Sequence, residues 1–259
     1  MRTTPIESTS RGRKAAFRAK RGFSLVEFFV VLLIIGVLTA LLLPAVRTAR
    51  PAARRMQCSN NLKMIGLALI NYHERYGRLP PAYTTDDQGN RLHSWRTLVL
   101  PFLEENALYE KIDLSKPWND PTNAEVFATR MPPMFHCPGF EPSSKSSPVT
   151  KTLYQVVVDG EGGFPGADSR KLSDIKDGVA NTLLAIEVPM EAAVDWMSPN
   201  DIDWTILFAV NDKSELAHQK VFLVVFADGS VSSLNASSTI AVKRSLLTIA
   251  AGDTVGDLD

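Results

Sequence analysis

The sequence predicts an α+β protein: a long N-terminal helix, its first part transmembrane, leaning on an antiparallel β-sheet globular domain. Three observations predict it. From Phe28 to Leu43 the chain carries no charge, and only Gly36 and Thr39 interrupt the hydrocarbon pattern. Beyond that run, Cys58, Leu62, Ile65, Leu69, Tyr72 and Tyr76 recur at intervals of three and four, one face of a helix. The C-terminal half then alternates β-rich segments with turn residues, ending in a hairpin signal at Asp228-Gly229.

Residues 1–22 form a basic, polar leader with no core-forming pattern. Phe23–Leu43 has the length of a bilayer core, about 30 Å as a helix. Its one charge, Glu27, lies just inside the membrane edge, where an unpaired carboxylate is costly. Arg11, Arg13, Lys14, Arg18, Lys20 and Arg21 precede the run and place the N-terminus on the cytoplasmic side. Arg47, Arg50, Arg54 and Arg55 follow it on the external side and are outweighed. The helical region continues through residue 77, with a kink or break expected at Arg50-Pro51, and Gly77 and Pro80-Pro81 close it.

The globular domain takes residues 78–259. Ser94 caps a short helix through Leu100, and Pro101 opens a second one to Lys111. Pro117–Pro148 is a proline-rich ordered loop with one helical turn around Ala124–Arg130. Strands are expected at Leu153–Val158, Thr182–Val188, Trp204–Val210, Val221–Phe226 and Val231–Leu234, with a turn at Leu172–Asp177. Ser237 or Ser238 caps a last helix through Ala250, closed by Gly252.

Arg21-Gly22-Phe23-Ser24-Leu25-Val26-Glu27, in register with the apolar run, resembles the processing site of type IV prepilins and type II secretion pseudopilins. The resemblance implies a pilin-like fold, cleavage after Gly22 by a prepilin peptidase, and N-methylation of Phe23. It also implies that Glu27 neutralises the N-terminal amine of a neighbouring pilin-like subunit during assembly. Pro44 falls at mature position 22, where pilins often kink. An ordinary signal peptide has a shorter core, and no A-x-A site follows this one.

A second resemblance spans nearly the whole chain. Cys58-Ser-Asn-Asn-Leu-Lys, Asn71-Tyr-His-Glu, Ser94-Trp-Arg, Leu100-Pro-Phe-Leu-Glu-Glu and Phe135-His-Cys-Pro are similar to the bacterial domain of unknown function 1559. Asp177-Gly178, Asn181-Thr182, Trp196-x-x-Pro199-x-Asp201 and Phe226-Ala-Asp-Gly-Ser-Val continue the pattern in order. The chain departs from it where members carry His-x-Gly-Gly-x-Asn: here the stretch is His218-Gln219-Lys220-Val221-Phe222-Leu223. Asp-Gly-Thr-Ser-Asn-Thr has likewise become Asp177-Gly178-Val179-Ala180-Asn181-Thr182, and Pro51 stands where members continue the helix. A site formed by those loops in relatives would be lost here.

Cys58 and Cys137 read as a disulfide in an exported domain or as two buried thiols. The bridge would close a loop of roughly 80 residues, about 4–5 kcal/mol in the chain-entropy model, and both cysteine contexts belong to the family's pattern. Net charge is zero, but residues 1–63 hold twelve Lys/Arg against Glu7 and Glu27, so the remainder is acidic. That distribution gives no reason to expect nucleic-acid binding.

Enzymatic activity is not expected: G-x-S-x-G and phosphate-cradling glycine loops are missing, and Asp228 and Ser230 read as hairpin residues. His73, His93, His136 and His218 form no close ligand pair, so no metal ligand is assigned. His73 reads as a polar contact between helix and domain. No cofactor is expected: the acidic loops Asp159–Gly163 and Asp195–Asp203 offer oxygen ligands of the kind calcium takes but lack EF-hand spacing, and His136 beside Cys137 makes no metal site if that cysteine is bridged. Trp95, Trp118, Trp196 and Trp204 read as core residues.

The function expected is a non-enzymatic subunit of a type II secretion or type IV pilus-like assembly, or of surface display. It would sit in the cytoplasmic (inner) membrane with one pass, its globular domain exported to the periplasm or cell surface. The alternative is a tethered binding domain for a sugar, peptide or ion behind a simple signal anchor.

Overall fold

A computed structural model of the chain describes residues 24–129, 131–140 and 149–252, with residues 41–49 and 129 described by backbone alone. The leader, with Gly22 and Phe23, lies outside the described residues. The chain divides into two compact units, Met1–Thr48 and Ala49–Asp259.

Helix α1, Leu25–Tyr76, contributes to both units. The break expected at Arg50-Pro51 does not occur. Proline removes one hydrogen bond and crowds the preceding turn, which strains a helix without necessarily ending it. The described side chains of its first part, from Leu25 to Leu38, are exposed and, apart from Glu27, apolar. Among the described residues no helix is long and apolar enough to cross a membrane; the predicted span Phe23–Leu43 falls partly outside them.

The second unit is α+β with mainly antiparallel sheets. After α1 come β1 (Tyr83–Thr85) and β2 (Arg91–Ser94), which pair antiparallel, then α2 (Trp95–Leu98). Ser94 caps α2 as predicted, its side chain accepting from Arg96 N at 3.2 Å. The single helix expected over Pro101–Lys111 is two pieces, a 3-10 turn at Leu100–Leu103 and α3 (Asn106–Tyr109). They are separated because Glu104 takes a left-handed φ of 61°. Helix α4 (Pro121–Thr129) and a 3-10 turn at Pro133–Phe135 follow.

The expected strand Leu153–Val158 is broken among short strands β3 (Lys151–Thr152), β4 (Tyr154–Gln155) and β5 (Val157–Val158). Next come β6 (Leu183–Glu187), β7 (Val194–Asp195) and β8 (Ile202–Asp203). Trp204–Val210, expected as a strand, is mostly helix α5 (Trp204–Ala209). The cause is local: Asp203 caps it, its carboxylate accepting from Thr205 N and Ile206 N. Strands β9 (Val221–Phe226) and β10 (Val231–Asn235) form the predicted Asp-Gly hairpin, in register from Val225–Val231 to Val221–Asn235. Helix α6 (Ile240–Leu247) is capped by Thr239, close to the expected serines.

The main sheet runs β10-β9-β6-β4, antiparallel throughout; β3 pairs with β7, and β5 pairs with β8 in parallel. Helix α1 lies directly on it. Of the predicted stripe, Cys58, Leu62, Ile65 and Leu69 are fully buried and Tyr72 is half-buried, whereas Tyr76, at the helix end, is exposed; burial of Leu62, Ile65 and Leu69 is worth about 1.5–3 kcal/mol each. Gly66 makes the approach possible: a Cβ there would stand 2.5 Å from Val225 Cγ2. His73 ties the helix end to the domain, accepting at Nε2 from Leu172 N (3.2 Å).

Candidate functional site

Four segments that are remote in sequence converge beneath α1. Cys58 projects from its inward face. One turn later, Asn61 Nδ2 donates to His136 O at 2.7 Å and holds the Phe135–Cys137 segment against the helix. Phe135 anchors that segment from the other side, stacked on Trp196 and edge-on to Trp95. The chain then turns sharply, Phe140 N donating to Cys137 O (2.9 Å). Gly139 is required in that turn, because a Cβ would meet Ala217 Cβ and O at 3.0 Å and Cys137 Sγ at 3.4 Å.

Glu187 ends strand β6, all five residues of which are buried. His218 precedes β9 in a tight turn closed by Val221 N donating to His218 O at 3.2 Å. Lys220 occupies the third position of that turn with φ 59°, where a type II turn favours glycine. This is the position at which the resembling sequences place the first glycine of their pair.

One ligand-capable atom from each of Cys58, Cys137, Glu187 and His218 lies within 4.8 Å of the others, and all four residues are buried. Cys137 Sγ donates to Glu187 Oε1 at 2.9 Å. His218 Nε2 stands 3.5 Å from Glu187 Oε2, with neither atom in a hydrogen bond. The expected Cys58–Cys137 bridge is not formed in this structure: both are free thiols, and the Cys137 S–H is directed to the carboxylate.

The electrostatics are tightly coupled. A hydrogen bond with Cys137 draws the Cys58 thiol down to about 4, against desolvation, while that same contact and burial push Cys137 up. Burial raises Glu187 to about 7. Desolvation pulls His218 down, but its contact with Cys58 and the Glu187 charge outweigh it, so it ends above its ordinary value. Tyr154, buried alongside, is raised mainly by desolvation.

Residues 47–214 match the family described as protein of unknown function (DUF1559). The chain belongs to that family. No curated protein and no solved structure matches it. Within this DUF1559 chain, the Ser-Trp-Arg and Trp-x-x-Pro-x-Asp motifs meet in a second buried constellation. Arg96 donates to Asp201 and to the carbonyls of Tyr154, Trp196, Ser198 and Asn200, while Trp95 Nε1 donates to Asp201 Oδ1 (3.1 Å).

The other predicted residues are placed as follows. Glu27 is exposed in the first turn of α1, 3.5 Å from Ser24 N. Asp228 is a turn residue, accepting from Ser230 N at 2.8 Å. His93 is buried with Nε2 on Lys116 O (2.7 Å), and His136 is not among the four clustered groups. In the acidic loops, Asp201 pairs with Arg96, Asp203 caps α5, and Asp159 accepts from Glu161 N. Trp95 and Trp196 are core, whereas Trp204 is exposed against Phe208, counter to expectation. Sequence reasoning missed Glu187 as a site residue. Its signal was a lone carboxylate between Ile186 and Val188 in an otherwise apolar run.

Proposed function

We propose that this DUF1559 protein is a membrane-anchored, non-enzymatic pilin-like subunit. A prepilin peptidase cuts it after Gly22 and methylates Phe23, and it assembles through its N-terminal helix with other pilin-like subunits in a type II secretion or type IV pilus-like system or in surface display. The observation that carries this reading is the Gly22-Phe23-Ser24-Leu25-Val26-Glu27 motif in register with an apolar run to Leu43.

The described part of that run supports it. Leu25, Phe29, Leu33 and Val37 are all more than half exposed, an apolar surface suited to lipid or to neighbouring helices. Thr39, the run's hydroxyl, is satisfied within the helix, donating to Ile35 O (2.8 Å) and Gly36 O (3.0 Å) as a lipid environment demands. Intact mass and N-terminal sequencing of the protein recovered from its host's membranes test the reading. A chain beginning at N-methyl-Phe23 is expected; one beginning at Met1 would make the segment a simple signal anchor and overturn it.

A further inference from the structure

We propose that Cys58, Cys137, Glu187 and His218 form a structural zinc site that clamps helix α1 to the sheet. Two sulfurs, one imidazole and one carboxylate are a tetrahedral zinc donor set, and a closed set of four protein ligands marks a structural site. With Zn–S near 2.3 Å and Zn–N or Zn–O near 2.0–2.2 Å, such a tetrahedron has edges of about 3.3–3.8 Å. The four atoms already lie within 4.8 Å of one another, so closing on an ion requires only small side-chain shifts.

The unsatisfied atoms point the same way. Glu187 Oε2 and His218 Nε2 are buried without hydrogen bonds, on side chains 1% and 5% exposed. Buried polar atoms left without hydrogen bonds keep an uncompensated desolvation penalty that a ligand can relieve. The Cys137 S–H cannot serve both the carboxylate and the second sulfur. A disulfide would use the two sulfurs and leave the carboxylate and imidazole as they are; a divalent cation engages all four groups. With both sulfurs bound as thiolates beside the Glu187 carboxylate and a neutral imidazole, the site carries one net negative charge, with Arg55 as the neighbouring cation, whose charge also acts on His218. The supports are in place: Asn61 holds the Cys137 segment, Gly139 permits its turn, and Tyr154 OH reaches Cys58 O at 3.5 Å.

The test uses the full chain purified from membranes in detergent, with neither chelator nor immobilised metal. Elemental analysis and native mass spectrometry are expected to give one zinc per chain. Exchange with Co²⁺ should produce thiolate-to-metal charge transfer and the visible bands of a tetrahedral site. Glu187→Gln and His218→Gln, which keep size and polarity, should each lower affinity for Zn²⁺ in chelator competition by at least the about 10–100-fold lost with a supporting partner. A metal-free chain lighter by two hydrogens would establish a Cys58–Cys137 disulfide and overturn the proposal. So would reduced chain that takes up neither Zn²⁺ nor Co²⁺, or affinity unchanged in both variants. The wild-type measurements stand even where a variant fails to fold.

Discussion

Arg96 and Asp201, 105 positions apart, form an ion pair 2.7 Å long with both side chains fully buried. The guanidinium also donates to the carbonyls of Tyr154, Trp196, Ser198 and Asn200, so one side chain ties β4 to the 196–200 loop. Arg96→Ala leaves Asp201 charged and unpaired in the interior, so a loss of about 3–5 kcal/mol is expected. Replacing both, as Arg96→Met with Asp201→Leu, should cost less than the sum of the two single changes. Urea unfolding followed by tryptophan fluorescence measures both.

Gly66→Ala should destabilise the protein even though alanine is the better helix former by about 1 kcal/mol. The added methyl meets Val225, a β-branched side chain with little rotamer freedom, so overpacking of about 1–3 kcal/mol dominates. Adding Val225→Ala should recover part of the loss in the same unfolding assay.

Lys220→Gly should stabilise. The left-handed backbone at Lys220 costs a side-chain-bearing residue about 1–2 kcal/mol, and glycine's greater unfolded-state entropy returns about 0.5–1 of it. A net gain of about 0.5–1 kcal/mol is expected, read as a higher urea midpoint at unchanged slope.

Acid should weaken the fold through His93. Burial lowers its pKa, against the pull of hydrogen bonds at Lys116 and Asp113. A histidine depressed in the folded state contributes stability that is fully present above its unfolded value of about 6.5. That contribution is lost as pH falls, because the unfolded chain binds the proton first. Each pH unit removes up to about 1.4 kcal/mol until the folded group titrates. Midpoints for wild type and His93→Gln, measured from pH 7.5 to 5, should therefore converge toward the acid end.

On the proposed pilin-like reading, Glu27→Ala should leave cleavage after Gly22 largely intact and abolish assembly, because Glu27 would act on a neighbour's amine and not at the cleavage step. Immunoblots of processed protein beside a count of filaments or cross-linked complexes separate the two steps. Normal assemblies from the variant would remove Glu27 from the proposed role.

Much of this fold was legible in the sequence. From Cys58 to Leu69 the predicted stripe is buried as its spacing says, though Tyr76 at its end is exposed, and Asp228-Gly229 makes the hairpin its chemistry demands. The error at Trp204–Val210 has a clear cause: a short apolar run, five of its seven residues aromatic or β-branched, reads as a strand although its length also suits a helix, and one cap, Asp203, decided it. The cysteines were legible as a pair because two are easily matched. Glu187 and His218 were not, because ligands drawn from a helix, a turn, a strand end and a loop share no spacing; only the tertiary register of β6 against β9 brings them together.

The seat of Gly66 on Val225 also sets an order of events during synthesis. Helix α1 leaves the ribosome first, and the strand that covers its inward stripe is made near the end of the chain. Until β9 arrives, Leu62, Ile65 and Leu69 have no sheet to lie on, and the helix–sheet contact must wait on a long loop closure. That interval is the period of greatest exposure to aggregation and proteolysis.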